Sequence, residues 1–359
     1  MEEMTKTPIK IHIITLIILI LSLVACSSST FTPIEEKIES SYPSKSDSTL
    51  EEYEVVELPI PASIRAASME FSGLAWYQDW LVLLPQYPNR GAAGNLGSLY
   101  AINKSELHSF LERKTQELDV KTIPFDDQGL YKQLKGFEGF EAIAFIDDKI
   151  FLTIETSGGN PMKAFLVSGK VDGELDAIVL DKSSLIEIET QNSSRNASYE
   201  ALTFDDENIY AIYEQNGTED NNLPYALMTD AEFSSTETIP IAPINYRITD
   251  ASMMDAQGYF WAINYFYPGD THLAVDSDPI SETYGLPETH QNSEPVERLV
   301  QFQSQEGKFA LVNTPPVYLQ LLPQDEARNW EGLVLFSDQG FILVTDSFPK
   351  TILGLVLMR

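Results

Sequence analysis

The sequence predicts an all-β fold built from one hairpin that recurs five times. Each copy begins with a polar residue, runs through an apolar strand and a turn, and ends on a polar residue after a second apolar strand. The opening residues are Ser72, Glu141, Glu200, Asp250 and Glu331, and the closing residues are Gln86, Glu155, Glu214, Asn264 and Asp346. Because a hairpin repeated along one chain is typical of propeller blades, we predict a β-propeller.

The spacing of the repeats favours five blades. Successive openers are 69, 59, 50 and 81 residues apart, which suits four-stranded blades that carry inserted loops. A sixth blade is the alternative, because the gap before Glu331 contains two further strand candidates, RLVQFQ and KFALVN. Those strands are equally well explained as the outer pair of the fourth blade.

Outside the hairpins, the sequence predicts one short helix over 103–114. Asn103 can cap its N-terminus, and Leu107 and Phe110 belong to an apolar stripe with helical spacing. The turn-rich stretch 268–295 has no helical period, so we expect it to run over one face of the fold.

The N-terminus has the features of an export signal. Lys6 and Lys10 precede an apolar run at 11–24, which is short against the ~20 residues of a membrane-spanning helix. The following Leu-Val-Ala-Cys resembles a bacterial lipobox, in which Cys26 becomes the lipidated first residue of the mature protein. An ordinary cleaved signal peptide is the alternative. Cys26 is the sole cysteine, which excludes an intramolecular disulfide.

These features predict the domain organisation and the location of the chain. We expect a signal peptide over 1–25, a flexible Ser- and Pro-rich tether over 26–52, and one propeller domain over 53–359. A lipid on Cys26 would hold the protein on a membrane of the bacterial cell envelope, facing away from the cytoplasm. By resemblance to lipoprotein sorting rules, Ser27 implies the outer membrane in a cell with two membranes.

The charge of the chain limits its partners. With 54 acidic and 23 basic residues, the net charge is −31. Nucleic acid and anionic lipid surfaces are therefore poor partners, and cations are favoured ones. Solubility of an exported acidic protein explains most of this excess.

The five openers form a candidate metal site. In a propeller the first strand of each blade lines the central channel, so Ser72, Glu141, Glu200, Asp250 and Glu331 would converge there. Carboxylates held close together repel each other unless a cation neutralises them. Oxygen ligands without His or Cys favour Ca²⁺ or Mg²⁺, and a wide ring favours Ca²⁺. The alternative is that each acid only caps its own strand.

Basic residues precede four of the five openers. They are Lys135, Arg195, Arg247 and Arg328. Placed over a bound cation, an arginine would suit phosphate or carboxylate groups of a ligand. Salt bridges to neighbouring acids explain these positions equally well.

The opener motifs EGL, EAI and EAL, with NWEGLVLFSDQGFILVTDSF as the fifth copy, resemble the phytase-like (esterase-like) family of exported β-propellers. The order Ser, Glu, Glu, Asp, Glu is also similar to the calcium-activated nucleotidase (soluble apyrase) propellers. That similarity implies that the five openers are calcium ligands. The nucleotidases' Asp-Asp-Arg motif has no counterpart here, and Asp250 replaces an expected serine, so nucleotide hydrolysis is not expected.

Two functions follow from this resemblance and from the polar ends. The first is calcium-dependent hydrolysis of a phosphoester, with Glu155 or Glu214 as general base. The second is a non-catalytic propeller that binds a ligand or a protein and holds structural calcium. The candidate substrate-binding residues are Gln86, Asn264, Asp346, Arg195, Arg247 and Arg328. The sequence contains no GxSxG nucleophile motif and no Cys/His zinc spacing.

Overall fold

A computed structural model describes residues 50–358, except 91–95, 159–161, 195–196, 218–220 and 222. Two short strands come first, β1 (Glu52–Tyr53) and β2 (Val56–Glu57). The first blade contains β3 (Phe71–Tyr77), β4 (Trp80–Pro85), β5 (Gly97–Asn103) and β6 (Lys121–Asp126). The second contains β7 (Phe137–Ile146), β8 (Lys149–Thr156), β9 (Lys163–Asp172) and β10 (Ala177–Ile188).

The remaining strands form three further blades. The third contains β11 (Tyr199–Phe204), β12 (Asn208–Tyr213), β13 (Tyr225–Asp230) and β14 (Thr236–Pro240). The fourth contains β15 (Arg247–Ala251), β16 (Tyr259–Phe266), β17 (Val296–Gln305), β18 (Lys308–Leu311) and β19 (Val317–Leu319). The fifth contains β20 (Trp330–Leu335), β21 (Gly340–Thr345) and β22 (Leu353–Leu357).

The five blades close into a ring, which confirms the predicted all-β propeller. The first strands contact one another in the cyclic order β3, β7, β11, β15, β20 and back to β3. The last blade is completed by β2, which pairs antiparallel with β22. The chain before the first blade therefore supplies the final strand of the fifth blade. The sixth blade is excluded, because RLVQFQ and KFALVN form β17 and β18 of the fourth blade.

Apolar residues of neighbouring blades pack face to face. Five main buried clusters lie one at each junction between adjacent blades, including the junction of the fifth blade with the first. The inner strands approach so closely that each opener is followed by Gly or Ala. A Cβ on Gly332 would lie 2.6 Å from a Val344 methyl group and 3.0 Å from the Leu74 backbone nitrogen. The repeated small residue is thus a packing requirement of the ring.

The helices lie in the connections. They are α1 (Lys104–Leu111), α2 (Leu130–Gln133) and α3 (Pro279–Tyr284), with 3₁₀ turns at Ala67–Met69, Thr271–Leu273, Glu288–His290 and Pro323–Asp325. The predicted helix is confirmed as α1, where the Asn103 side chain accepts a hydrogen bond from Ser105 N at 3.0 Å. Within the part of the chain that the structure describes, no helix is long and apolar enough to span a membrane.

The long connection between β16 and β17 is tied to the fourth blade by a buried ion pair. Asp278 caps α3, and its carboxylate accepts two hydrogen bonds from the Arg298 guanidinium at 2.6 and 3.0 Å. Arg298 is fully buried. Because a buried guanidinium needs a partner, this contact fixes the connection against the blade. Periodicity in the sequence could not reveal α3, since its six residues are shorter than two helical turns.

Candidate functional site

A β-bulge holds the opener of every blade. The pairing between the first two strands of a blade shifts register at Ser72, Glu200 and Glu331, where one residue has no partner across the ladder. The same shift occurs around Glu141 and Asp250, where two residues are unpaired. A bulge re-aims the side chain of its extra residue. The opener of each of the five blades therefore lies at a bulge, where its polar side chain does not follow the strict alternation of the strand.

The acidic openers converge from three different blades. Glu141 and Glu200 are buried, and Glu331 is partly buried. The carboxylates of Glu141, Glu214 and Glu331 all act on the pKa of Glu200, although they belong to other strands or other blades. Glu331 is similarly affected by Glu141 and Glu214. The first strands thus form one acidic cluster around the axis.

Burial and mutual repulsion raise the pKa of every carboxyl in this cluster. Burial is the main cause for Glu141 and raises its pKa to about 7, with Glu214 adding to the shift and a Gln86 hydrogen bond opposing it. For Glu155, burial and then the charges of Glu141 and Glu214 raise the pKa to about 9. The pKa values of Glu200 and Glu331 are raised well above the ordinary range by the same causes. The cluster therefore favours protons or cations.

Two hydroxyl groups link the first strands of neighbouring blades. The Ser72 Oγ donates a hydrogen bond to the Phe140 carbonyl at 2.6 Å, directly before the opener of the second blade. The Thr249 Oγ1 makes the same kind of bond to the Trp330 carbonyl, directly before Glu331. Thr249 therefore occupies the position in the fourth blade that Ser72 occupies in the first. The sequence repeat identified Asp250 instead, because the two-residue bulge leaves the alignment of TDA ambiguous.

The carboxylate of Asp250 is engaged by hydrogen bonds from backbone amides. Its Oδ2 accepts a hydrogen bond from Leu333 N at 2.7 Å, and its Oδ1 accepts one from Ala251 N at 2.8 Å. The Leu74 N–H on the first blade also stabilises the carboxylate. Burial is nevertheless the larger effect and raises the pKa of Asp250 well above its ordinary value. Asp250 thus joins three blades through their backbone amides, which leaves it poorly suited to release its oxygens to a metal.

The closing residues have different roles. Gln86 Nε2 donates to Glu141 Oε1 at 3.1 Å and so connects the two polar rings. Asn264 is fully buried and engaged on both sides, since it accepts from Arg298 Nε at 2.8 Å and donates to the Asn245 carbonyl at 2.8 Å. Asp346 accepts from Phe348 N at 2.7 Å. Gln86 thus contacts the acidic cluster directly, whereas the side chain of Asn264 braces loops of its own blade.

Arg247 is the cation that enters the cluster. Its Nε lies 3.0 Å from Glu214 Oε1 and its Nη2 lies 2.7 Å from Asp270 Oδ2. Its side chain is only 13% exposed, and those of Glu214 and Asp270 are 0% and 21% exposed. Both contacts are ion pairs, and Arg247 Nε, Glu214 Oε1 and Asp270 Oδ2 are buried atoms without a hydrogen bond among the described residues. Arg247 thus offsets part of the negative charge of the cluster.

Of the other predicted basic residues, the two that the structure describes, Lys135 and Arg328, form no ion pair with the acidic cluster. Arg328 is buried and pairs with Glu297, donating from its Nε at 2.9 Å, and its guanidinium also lies over the Trp330 ring. Lys135 is exposed. Arg195 lies outside the described residues, as does Cys26. Of the predicted arginines that the structure describes, Arg247 alone contacts a predicted site carboxylate.

Several buried carboxylate oxygens have no donor. Within the described residues, Glu155 Oε1, Glu200 Oε2 and both oxygens of Glu214 lack a hydrogen-bond partner. When both are ionised these two carboxylates have no donor, and only a proton held between Glu214 and Glu200 would join them by a hydrogen bond. Unsatisfied hard oxygen atoms of this kind fit a calcium ion by their chemistry. In their described positions, however, no three His, Cys, Asp or Glu side chains are grouped closely enough to hold a metal.

A pocket of about 220 Å³ opens beside Arg247, between the fourth and fifth blades. Its lining residues are Arg247, Tyr265, Tyr267, Asp270, Asn329 and Phe348. Of these, the sequence patterns identified only Arg247 as a site residue. Tyr265 and Phe348 lie beside the closers Asn264 and Asp346, Tyr267 and Asp270 lie in the connection after β16, and Asn329 lies two residues before the opener Glu331. This proximity in the sequence was the one signal available for them.

Comparisons with known proteins find structural likeness at low sequence identity. No protein-family model matches the chain, and no curated protein matches it significantly. Solved structures that resemble it include a glucose dehydrogenase, 12% identical with a TM-score of 0.43, matched over 84% of this chain and 99% of that one. The Escherichia coli aldose sugar dehydrogenase is 10% identical with a TM-score of 0.41, over 85% and 99%.

A thermostable family-43 glycoside hydrolase is 10% identical with a TM-score of 0.46, over 81% of this chain and 90% of that one. Sequence identity and structural similarity this low say nothing about the activity of this chain. The resemblance to the phytase-like family stays a prediction.

Proposed function

We propose that the protein binds a calcium ion in the central channel of its propeller. The observation that carries this proposal is the set of buried carboxylate oxygens without a donor at Glu155, Glu200 and Glu214. A buried carboxylate left unsatisfied is costly, and a divalent cation would neutralise two or more of them at once. Among the described residues, Arg247 supplies the single positive charge in an ion pair with this group, which is too little for the carboxylates around it.

The carboxylates that would hold the ion are those of Glu141, Glu200 and Glu331. Ser72 belongs to the same ring through its hydroxyl group, although that group is already bonded to the Phe140 carbonyl. Calcium tolerates irregular oxygen shells at 2.3–2.6 Å, so small rotations of long glutamate side chains would suffice to bring their oxygens together. Asp250 would support the site by joining the inner strands.

The second candidate function is hydrolysis of a phosphoester at this site. It is favoured by the position of Arg247, whose guanidinium lines a pocket beside the acidic cluster, provided that a bound cation neutralises the carboxylates that pair with it. A bound cation would neutralise phosphate charge and acidify a water molecule. Since the pKa of Glu155 is raised to about 9, it holds a proton at neutral pH and would act as a general acid unless a cation lowers that pKa. Glu214, beside Arg247, is the better candidate for general base.

The remaining candidate is a propeller without catalysis, in which calcium stabilises the channel and the mouth binds a ligand or a protein. Measuring calcium-dependent release of phosphate from p-nitrophenyl phosphate and phytate distinguishes the hydrolytic function from the binding function. Release that is lost in Glu214→Gln would support hydrolysis. No release by calcium-loaded protein from either compound would favour the binding function.

Export and anchoring complete the proposal. Lipidation of Cys26 would place the acidic propeller outside the cytoplasm, where free calcium is plentiful. Metabolic labelling with radioactive palmitate tests this directly. Incorporation that disappears in Cys26→Ala is expected, and release of the unlabelled wild-type protein into the medium would refute the anchor.

The test of the calcium site is calorimetric titration of the metal-free protein. We expect binding that weakens about tenfold or more in Glu141→Gln and in Glu331→Gln. Glu207→Gln is the matched control, because Glu207 lies on an exposed turn of the third blade. Equal calcium affinity in all four proteins, or no binding in the wild type, would refute the channel site.

A further inference from the structure

The pocket beside Arg247 combines aromatic and polar groups in one small volume. The rings of Tyr267 and Phe348 lie 6.2 Å apart at its edge and are inclined by 59°. They are 41% and 52% exposed, and only eight large hydrophobic side chains are exposed in the described part of the chain. Two adjacent exposed rings at the edge of a pocket present apolar area that a ligand would cover.

The polar side of the pocket presents a donor and an acceptor side by side. Arg247 Nη2 and Asp270 Oδ2 form an ion pair at 2.7 Å, and the two side chains are 13% and 21% exposed where they line the pocket. A carboxylate accepts from a hydroxyl group, and a guanidinium donates to one. The exposed parts of this ion pair can therefore exchange hydrogen bonds with two adjacent hydroxyl groups of a ligand. Burial raises the pKa of Tyr265, so its phenol keeps its proton as well.

The charges around the pocket select against ions. The guanidinium of Arg247 is already offset by Glu214 and Asp270 at 3.0 and 2.7 Å. Without a cation in the channel, an anionic ligand would therefore meet the acidic cluster with no free positive charge to receive it. A cationic ligand would meet Arg247 at the wall of the pocket. The electrostatics thus favour a neutral ligand that has hydroxyl groups.

The volume limits the size of that ligand. Pockets for drug-sized molecules are roughly 300–1,000 Å³. This pocket is smaller, at about 220 Å³, and so suits a single ring with its substituents. We infer that the pocket binds one unit of a neutral saccharide, with the C–H face of the sugar against Tyr267 or Phe348 and adjacent hydroxyl groups on Arg247 and Asp270.

This inference does not depend on calcium in the channel, so the two can fail separately. The test is binding of the fluorescently labelled protein to an array of neutral, sialylated, sulfated and phosphorylated oligosaccharides. We expect binding to neutral glycans that falls at least tenfold in Tyr267→Ala and in Phe348→Ala. Leu357→Ala is the matched control, since Leu357 is 40% exposed at the opposite end of the fifth blade.

Glu141→Gln should retain glycan binding while its calcium affinity falls. Unchanged thermal unfolding would establish that both aromatic variants are folded. Absence of glycan binding by the wild type would overturn the inference, as would binding confined to the charged glycans. Binding that survives both aromatic substitutions would overturn it too.

Discussion

The raised pKa of Glu141 predicts that the metal-free protein loses stability as the pH rises. Its carboxyl titrates near pH 7 in the folded protein, against an ordinary value of 4.5. The folded state therefore holds a proton that the unfolded chain releases. The stability this provides is fully present below pH 4.5 and is lost as the pH rises through about 7.

The size of the effect follows from the two pKa values. At 1.36 kcal/mol for each pKa unit, raising the pH from 5 to 8 should lower the free energy of unfolding by about 2–3 kcal/mol through Glu141 alone. Glu155, with a pKa of about 9, adds a loss at higher pH. In Glu141→Gln the amide never ionises and keeps an acceptor for Gln86, so the loss between pH 5 and 8 should shrink by that amount.

Urea unfolding followed by tryptophan fluorescence, in the presence of EDTA, measures this loss. Glu207→Gln should behave like the wild type at both pH values. Saturating calcium should remove most of the pH dependence, because a cation stabilises the ionised carboxylates that protons otherwise neutralise. An identical decrease between pH 5 and 8 in wild type and Glu141→Gln would refute the assignment of the shift to this residue.

Three further predictions concern the ring and its supports. Gly332→Val should cost about 1–3 kcal/mol of stability, since the new side chain has no space between the inner strands, and urea unfolding measures it. Asp278→Ala should cost about 3–5 kcal/mol by leaving the buried Arg298 unpaired, and adding Arg298→Met should recover part of that loss. Thr249→Val should cost about 1–3 kcal/mol by removing the donor to the Trp330 carbonyl; no change in thermal unfolding would contradict its bracing role.

The fold could be predicted because patterns of consecutive residues determine its hairpins. An alternating apolar hairpin is a property of consecutive residues, and five copies of one pattern identify blades without any knowledge of their arrangement. The same locality explains why α1 was predicted and α3 was not. Asn103 and its apolar stripe form a complete local signal, whereas α3 depends on the distant Arg298 to hold its cap.

The convergence of the acids also followed from the repeat. Once each blade places its opener on the inner strand, Glu141, Glu200 and Glu331 must approach one axis, as the structure has them. The exact register was not predictable, because a bulge adds a residue that no alternation pattern records. Thr249 therefore shares the position of Ser72, and Asp250 lies among backbone amides instead.

The sequence by itself determined the strands, their grouping into blades and the acidic character of the channel, since these depend on residue type and short spacing. Only the tertiary structure decided which charges are compensated. Arg328 pairs with Glu297 and Arg247 with Glu214, although both arginines precede an opener at similar distance. The physical reason is that an ion pair forms only when the two side chains, here from different blades, come within a few ångströms of each other. The packing of the blades sets that distance, and it places Arg247, but not Arg328, at the wall of the pocket.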